Sequence, residues 1–287
     1  MGLEIVKNLI LNAVVLSFMY IIATLGFAFI FNMMGVLNFA HGAVYMTSAF
    51  VCYYLSLWFG INNWLSLLLT IVVMGLLGIL VERVAFTPFA ASLPRLIMIA
   101  VAIITVMTTT TTVAAGTRNL IIDSFAHGTS SILGLLVSNE RLLIAGIGFV
   151  LLAAVLIVVN KTTIGKQMQA IAQDRVGAAL QGIRITRVSA IVCAVGFALA
   201  AIAGSMMGSL QKISPTMGDQ LLVRILMIVM LAGVGSMNGL IITGFILGII
   251  DSFLPFYIPG SAASAVSAVA VLVLLLLKPK GFFGHEM

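Results

Sequence analysis

Residues Leu142–Val159 read LLIAGIGFVLLAAVLIVV, a run without a charge, and the polar stretch Asn160–Arg187 follows at once. Wound as a helix, an apolar run of about 18–20 residues matches a bilayer's hydrocarbon core of ~30 Å. The pattern repeats on both sides of it. Apolar runs bounded by polar loops occur at Leu9–Phe31, Ala40–Phe59, Trp64–Leu80 and Leu96–Ala115 before it. Val188–Leu210, Leu221–Gly235, Leu240–Phe253 and Ala262–Leu277 follow it. The expectation is an all-α fold: a polytopic transmembrane helical bundle of about eight to nine membrane segments, short or broken helices included. Residues 1–287 form one transmembrane domain, with a cytoplasmic loop at about 160–187.

Composition agrees. The chain is 62% hydrophobic and 8% charged, where soluble domains carry about a quarter charged residues. A mean hydropathy of +1.26 leaves too little polar surface to cover a globule in water. Lipid is therefore the bulk solvent. The net charge of +6 comes from basic residues scattered over loops, with no dense basic face, so nucleic acid is not an expected partner. Those residues report orientation instead. Asn160–Arg187 holds Lys161, Lys166, Arg175, Arg184 and Arg187 against Asp174, which makes it cytoplasmic. Arg83–Arg95 and the terminal Lys278 and Lys280 fall on the same side. Gly116–Arg141 and Gln211–Gln220 fall outside. Glu4 and Lys7 cancel and leave the side of the N-terminus open. The expected localisation is multi-pass in a bacterial inner (plasma) membrane.

Sites for chemistry are scarce. No G-x-x-x-x-G-K-[ST] cradle exists, and Lys161–Lys166 lacks its glycine spacing, so the chain does not hold ATP in that manner. His41, His127 and His285 are far apart, and Cys52 and Cys193 lie in apolar runs. No catalytic set, metal site or cofactor site is expected, and the chain does not read as an enzyme. Intramembrane ionisable groups are expensive, so each is a functional hypothesis. Glu82 and Arg83 sit together at a span end, where a local pair or snorkelling explains them. Asp251 is the isolated candidate, read either as an interfacial residue or as part of a pathway. Thr105 and Thr108–Thr112 either bond back to the preceding turn or form a polar strip that includes Thr109 along a solute path. The seventh and eighth segments are short and interrupted by Gly233, Gly235, Asn238 and Gly239, as in helices broken at a midplane or in tilted, tightly packed ones. Gly196, Ala200, Gly204 and Gly208 form a ladder for close helix packing, and Gly244 with Gly248 forms another.

Two stretches invite roles. Residues 166–181 read as one short helix rich in Ala and Gln, stopped by Gly182. Its small residues Gly177, Ala178 and Ala179 permit close approach to a partner, although a solvated loop would look similar. Asn38 and His41, three apart in the Gly35–Gly42 break, share a helical face. They either satisfy backbone groups freed at the break or face a solute.

The passage Gly35–Met46, GVLNFAHGAVYM, resembles the G-x-x-N-x-A-H-G-x-x-Y-M stretch of permeases in branched-chain amino-acid ATP-binding-cassette importers, of the H type. Tyr45 falls in that motif. Thr163–Lys166 with Gln169, Ala170, Asp174 and Ala178–Ile183 resembles the same family's cytoplasmic loop, T-x-x-G-x-x-x-R-A-x-x-x-D and the following G-I. Ile213–Gly218, Ala232–Gly239 and the ending Lys278–Gly284 fit in order over nearly the whole chain. Ala43 stands where the family commonly has Glu, Gln169 where it has Arg, and the fourth span lacks its T-x-G. The resemblance implies a permease subunit of an importer for amino acids, branched-chain or otherwise hydrophobic, or related small solutes. The wider family also carries urea, short amides and aromatic acids. A stand-alone secondary carrier or channel is the alternative from another class. The implied partners are a second permease of similar fold, two cytoplasmic ATPase subunits that bind the ATP, and a periplasmic solute-binding protein. The implied coupling residues are Gly165, Asp174, Ala178, Ala179, Gly182 and Ile183. The candidates for the solute path or helix break are Asn38, His41, Tyr45, Thr105, Thr109 and Asn238.

Overall fold

The structure, a computed structural model, describes residues 2–35, 37–90, 92–116, 120–132, 135–233, 235–278 and 281–283. Val36, Val234, Pro279, Lys280, Gly284 and His285 lie outside the described residues.

Helices form where the apolar runs predict them. They are α1 (Gly2–Met34), α2 (His41–Phe59), α3 (Asn63–Val81), α4 (Leu93–Ala115) and α5 (Asn139–Lys161). The loop after α5 carries α6 (Thr163–Gln173) and α7 (Arg175–Leu180). Then come α8 (Ile185–Leu210), α9 (Met217–Ala232), α10 (Met237–Tyr257) and α11 (Gly260–Leu277). Among the described residues, seven helices are long and apolar enough to cross a membrane, and a shorter apolar one covers Ala262–Leu274. One element has no counterpart in the sequence reading. The antiparallel hairpin β1 (Thr129–Ile132) and β2 (Leu135–Ser138) pairs Thr129 with Ser138 between α4 and α5.

The structure decides between alternatives at three places. The glycines of the seventh and eighth segments separate two helices and break neither. α9 stops at Ala232, Gly233 and Gly235 take positive φ, and α10 runs 21 residues without interruption. Glu82 does not pair with Arg83. Neighbouring helical residues point in different directions, and the buried Glu82 carboxylate accepts instead from the Thr87 hydroxyl at 2.5 Å. That contact lies across a π turn, Glu82–Phe86, which widens the end of α3. Asp251 is not isolated, as shown below.

The chain divides into two compact units, each built from segments distant in sequence. Unit 2 comprises Gly26–Asp123 and Ala153–Leu222. Its centre is α8, packed on α2 and α3. The glycine ladder explains how closely they pack. A Cβ at Gly204 would lie 2.2 Å from the Tyr45 carbonyl oxygen, and one at Gly196 would lie 2.8 Å from that of Gly26. Ser48 donates to the Tyr45 carbonyl within α2 at 2.6 Å and, across the close approach, to the Ala200 carbonyl of α8 at 3.4 Å. Leu120 and Ile213 exchange backbone hydrogen bonds of 3.1 and 2.7 Å, and Asn63 donates to the Asp123 carbonyl at 2.6 Å. These bonds tie three inter-helix loops together.

Unit 1 comprises Met1–Leu25, Ser124–Leu152 and Val223–Met287. Gly244 and Gly248 of α10 meet Ile21 and Ser17 of α1 at hypothetical Cβ distances of 2.4 and 2.2 Å. Phe18 stacks edge-on to Phe149 and Phe245. The chain's end folds back as Phe282 and Phe283 donate their N–H groups to the Leu231 and Ala232 carbonyls, the last of α9.

Candidate functional site

The polar loop after α5 folds into two rigid helices joined by one residue. Thr162 caps α6. Its hydroxyl accepts from the Gly165 N–H at 3.2 Å and donates to the Val158 carbonyl at 2.6 Å. Gly165 sits where a Cβ would come within 2.2 Å of the Val159 carbonyl oxygen, so the tight turn out of α5 requires glycine. Sequence reasoning named Gly165 but missed Thr162, although a threonine just ahead of a helical run is itself a capping signal.

The expected single helix over 166–181 is corrected at Asp174, which is extended (φ −148°, ψ 104°). Asp174 closes α6 with its backbone N–H on the Ala170 carbonyl, and opens α7 with its carboxylate accepting from the Val176 N–H at 3.0 Å. Gly177 leaves room for that carboxylate, since a Cβ there would lie 2.4 Å from it. α7 then ends in a Schellman turn. Gly182 is left-handed (φ 84°) and donates to the Ala179 carbonyl, while Ile183 donates to that of Ala178. Each coupling residue named from sequence thus shapes this helix pair. Ala178 is buried, whereas Val176, Ala179 and Leu180 all face out, Val176 at 70% and Leu180 at 85% exposure. Their spacing of three and four residues puts them on one face. The result is a short, doubly capped helix presenting an apolar edge beside Arg175 and Gln181.

The pathway candidates of unit 2 do not converge. Asn38 lies in the break before α2 rather than on it, so it does not share a helical face with His41 as expected. It is only 4% exposed, and its Oδ1 accepts from the Ala40 N–H at 3.1 Å, fixing the approach to α2. With Met34, Leu37, Phe86, Leu96 and Ala100 it lines a small apolar cavity. His41 is buried edge-on to Phe27, with ring centroids 5.8 Å apart. Tyr45 is buried at the close approach to Gly204. Thr105 and Thr109 are exposed on α4, and Thr105 bonds back to the Val101 carbonyl at 3.0 Å. Asn238 is exposed in the first turn of α10, in the other unit.

One polar cluster was missed in part. In unit 1, Arg224 of α9 forms an ion pair with Asp251 of α10, and Tyr20 of α1 donates to Asp251 at 2.9 Å. Arg224 donates to Ser264 at 3.1 Å, and Ser267 donates to Asp251 at 3.4 Å, both from α11. This is the one ion pair among the described residues. The signal was available: Arg224 stands alone within an apolar run, opposite in sign to Asp251 in the next.

Comparison with known proteins finds matches over nearly the whole chain. A family model described as branched-chain amino acid transport system, permease component, matches residues 9–277. The high-affinity branched-chain amino acid transport system permease protein LivH of Escherichia coli is 27% identical, covering 96% of this chain and 94% of that protein. BraD of Pseudomonas aeruginosa, of the same description, is 25% identical over 96% and 95%. The probable branched-chain amino acid transport permease protein LivH of Methanocaldococcus jannaschii is 25% identical over 98% and 93%. Among solved structures, PsaBC from Streptococcus pneumoniae in complex with Fab shares the fold, with a TM-score of 0.58 at 13% identity over 98% of this chain and 97% of that one.

Proposed function

Because the chain belongs to the permease-component family of branched-chain amino-acid transport systems, we propose that it carries amino acids across the membrane and that α7 is where an ATPase subunit drives it. The protein is a multi-pass permease subunit of an ATP-binding-cassette importer in the bacterial inner membrane. Such a subunit works with ATPase and solute-binding partners. The finer arrangement proposed is a second permease of similar fold, two cytoplasmic ATPases that bind the ATP, and one binding protein outside.

The observation that carries the coupling role is the apolar edge of Val176, Ala179 and Leu180, exposed on a helix capped at both ends. Apolar side chains gathered on one exposed face of a polar loop suit a helix that inserts into a groove. The caps make the helix stiff enough to transmit a push as a rigid body. Hydrophobic amino acids are the favoured solutes because the relatives named above are permeases for branched-chain amino acids. The test is uptake into proteoliposomes holding the co-expressed importer, with leucine, alanine, urea and benzoate as labelled solutes. Leucine uptake that requires ATP and the binding protein is expected. Uptake by this chain alone, without ATP, rejects the proposal in favour of a carrier or channel.

A further inference from the structure

We propose that the Arg224–Asp251 pair is a docking point for the charged end of a zwitterionic amino acid, closed on itself in this conformation. The inference rests on the amino-acid reading above. The other charged residues described in unit 1, Glu4, Lys7, Glu140, Arg141 and Lys278, lie in the first two turns of helices or just past a helix end. Arg224 and Asp251 lie nearly two turns from the nearer helix end, at ~1.5 Å per residue, where an ionised group is costly unless it is paired or functional.

Depth follows from the helix ends. Arg224 is about 10 Å into α9 from Met217, Asp251 about 9 Å before the end of α10, and Ser264 about 6 Å into α11, at ~1.5 Å per residue. The cluster therefore lies one to two turns inside one membrane face. The loop charges assign that face to the outside, where solute would arrive. The cluster is not sealed. The Arg224 side chain is 16% exposed against 8% for Asp251, and its partner Ser264 is exposed. The first half of α11 holds only Gly, Ser, Ala and Val, and its Ser264 meets the guanidinium.

The chemistry is complementary. A guanidinium has five N–H donors, and the contacts to Asp251 and Ser264 use two of them. The rest can meet a carboxylate in the fork geometry that arginine favours. Asp251, released from Arg224, offers its carboxylate to an ammonium group while Tyr20 and Ser267 hold it in place. Inserting a zwitterion between the two charges keeps the local net charge at zero. Neither ion is then left unpaired in a poorly solvated site, which is where the penalty for opening such a pair arises.

The experiment measures leucine moved per ATP hydrolysed by the reconstituted importer at saturating leucine-loaded binding protein. In the doubly neutral variant Arg224→Gln with Asp251→Asn, no charge is orphaned. The complex is expected to assemble and hydrolyse ATP within about twofold of the parent, while leucine per ATP falls tenfold or more. A ratio within twofold of the parent overturns the proposal and leaves the pair as a tie between helices. If that variant does not assemble, the swap Arg224→Asp with Asp251→Arg decides. Assembly with a normal ratio overturns the proposal, and assembly with a lowered ratio supports it. If both fail while Tyr20→Phe assembles, the pair serves packing and the proposal falls. A parent importer that moves no amino acid overturns the amino-acid reading and this inference with it.

Discussion

Single residues differ in what they demand, and two glycines show it. Gly204 has ordinary helical geometry but no space, since a Cβ there meets the Tyr45 backbone oxygen at 2.2 Å. Gly35 has space, with nothing within 4 Å, but its φ is +67°. Gly204→Ala must separate α2 from α8, and overpacking against backbone costs about 3 kcal/mol. Gly35→Ala strains one residue by about 1 kcal/mol. Monodisperse yield after detergent extraction and heating is expected to collapse for the first and to change little for the second. Asn38→Leu removes the acceptor for the Ala40 N–H before α2. Losing a buried hydrogen bond of this kind costs about 1 kcal/mol. We expect less folded protein, with transport per folded molecule maintained. Normal yield with transport abolished would put Asn38 in the solute path instead.

At the scale of elements, α7 separates structure from coupling, because its inward and outward faces carry different residues. Ala178 is buried, whereas Val176, Ala179 and Leu180 face out. Leu180→Asp and Ala179→Arg should leave the bundle intact and lower co-purification of the ATPase tenfold or more, uncoupling hydrolysis from transport. Gly182→Trp should uncouple too, by breaking the Schellman turn that fixes the helix direction. Normal transport by these variants would mean that the ATPase docks elsewhere. The elements were unevenly legible. The apolar runs located the spans because lipid forces whole turns to be apolar. The coupling candidates came from the family resemblance, and the tight turns at Gly165 and Gly182 are the physical reason that glycine stands at those two positions. The break at Asp174 was not, because a carboxylate capping its own following turn looks like any polar residue in a helix. Arg224 was passed over because its partner lies 27 positions away, beyond any local pattern.

For the whole molecule, the sides of the membrane follow from charge and are cross-checked by contacts. The loop charges put Asn160–Arg187 inside and Gln211–Gln220 outside. The Leu120–Ile213 bridge requires the loop after α4 to share a side with the loop after α8, and the Asn63–Asp123 bond adds the loop between α2 and α3. Phe282 and Phe283, bonded to the last carbonyls of α9, put the chain's end on the same side as the α9–α10 link. That agrees with Lys278 lying inside. Each agreement joins loops that an even number of crossings separates, so an error in counting any one of α3, α4, α5, α8, α10 and α11 would have put bonded loops on opposite sides. Labelling can test this directly, because the native Cys52 and Cys193 are both buried and give little background. In intact cells, an impermeant maleimide is expected to label Lys212→Cys. Gln181→Cys and Lys278→Cys should react only after permeabilisation. Labelling of Gln181→Cys from outside would invert the topology. It would put α7 beyond reach of any cytoplasmic ATPase, so the coupling role would fall with the orientation.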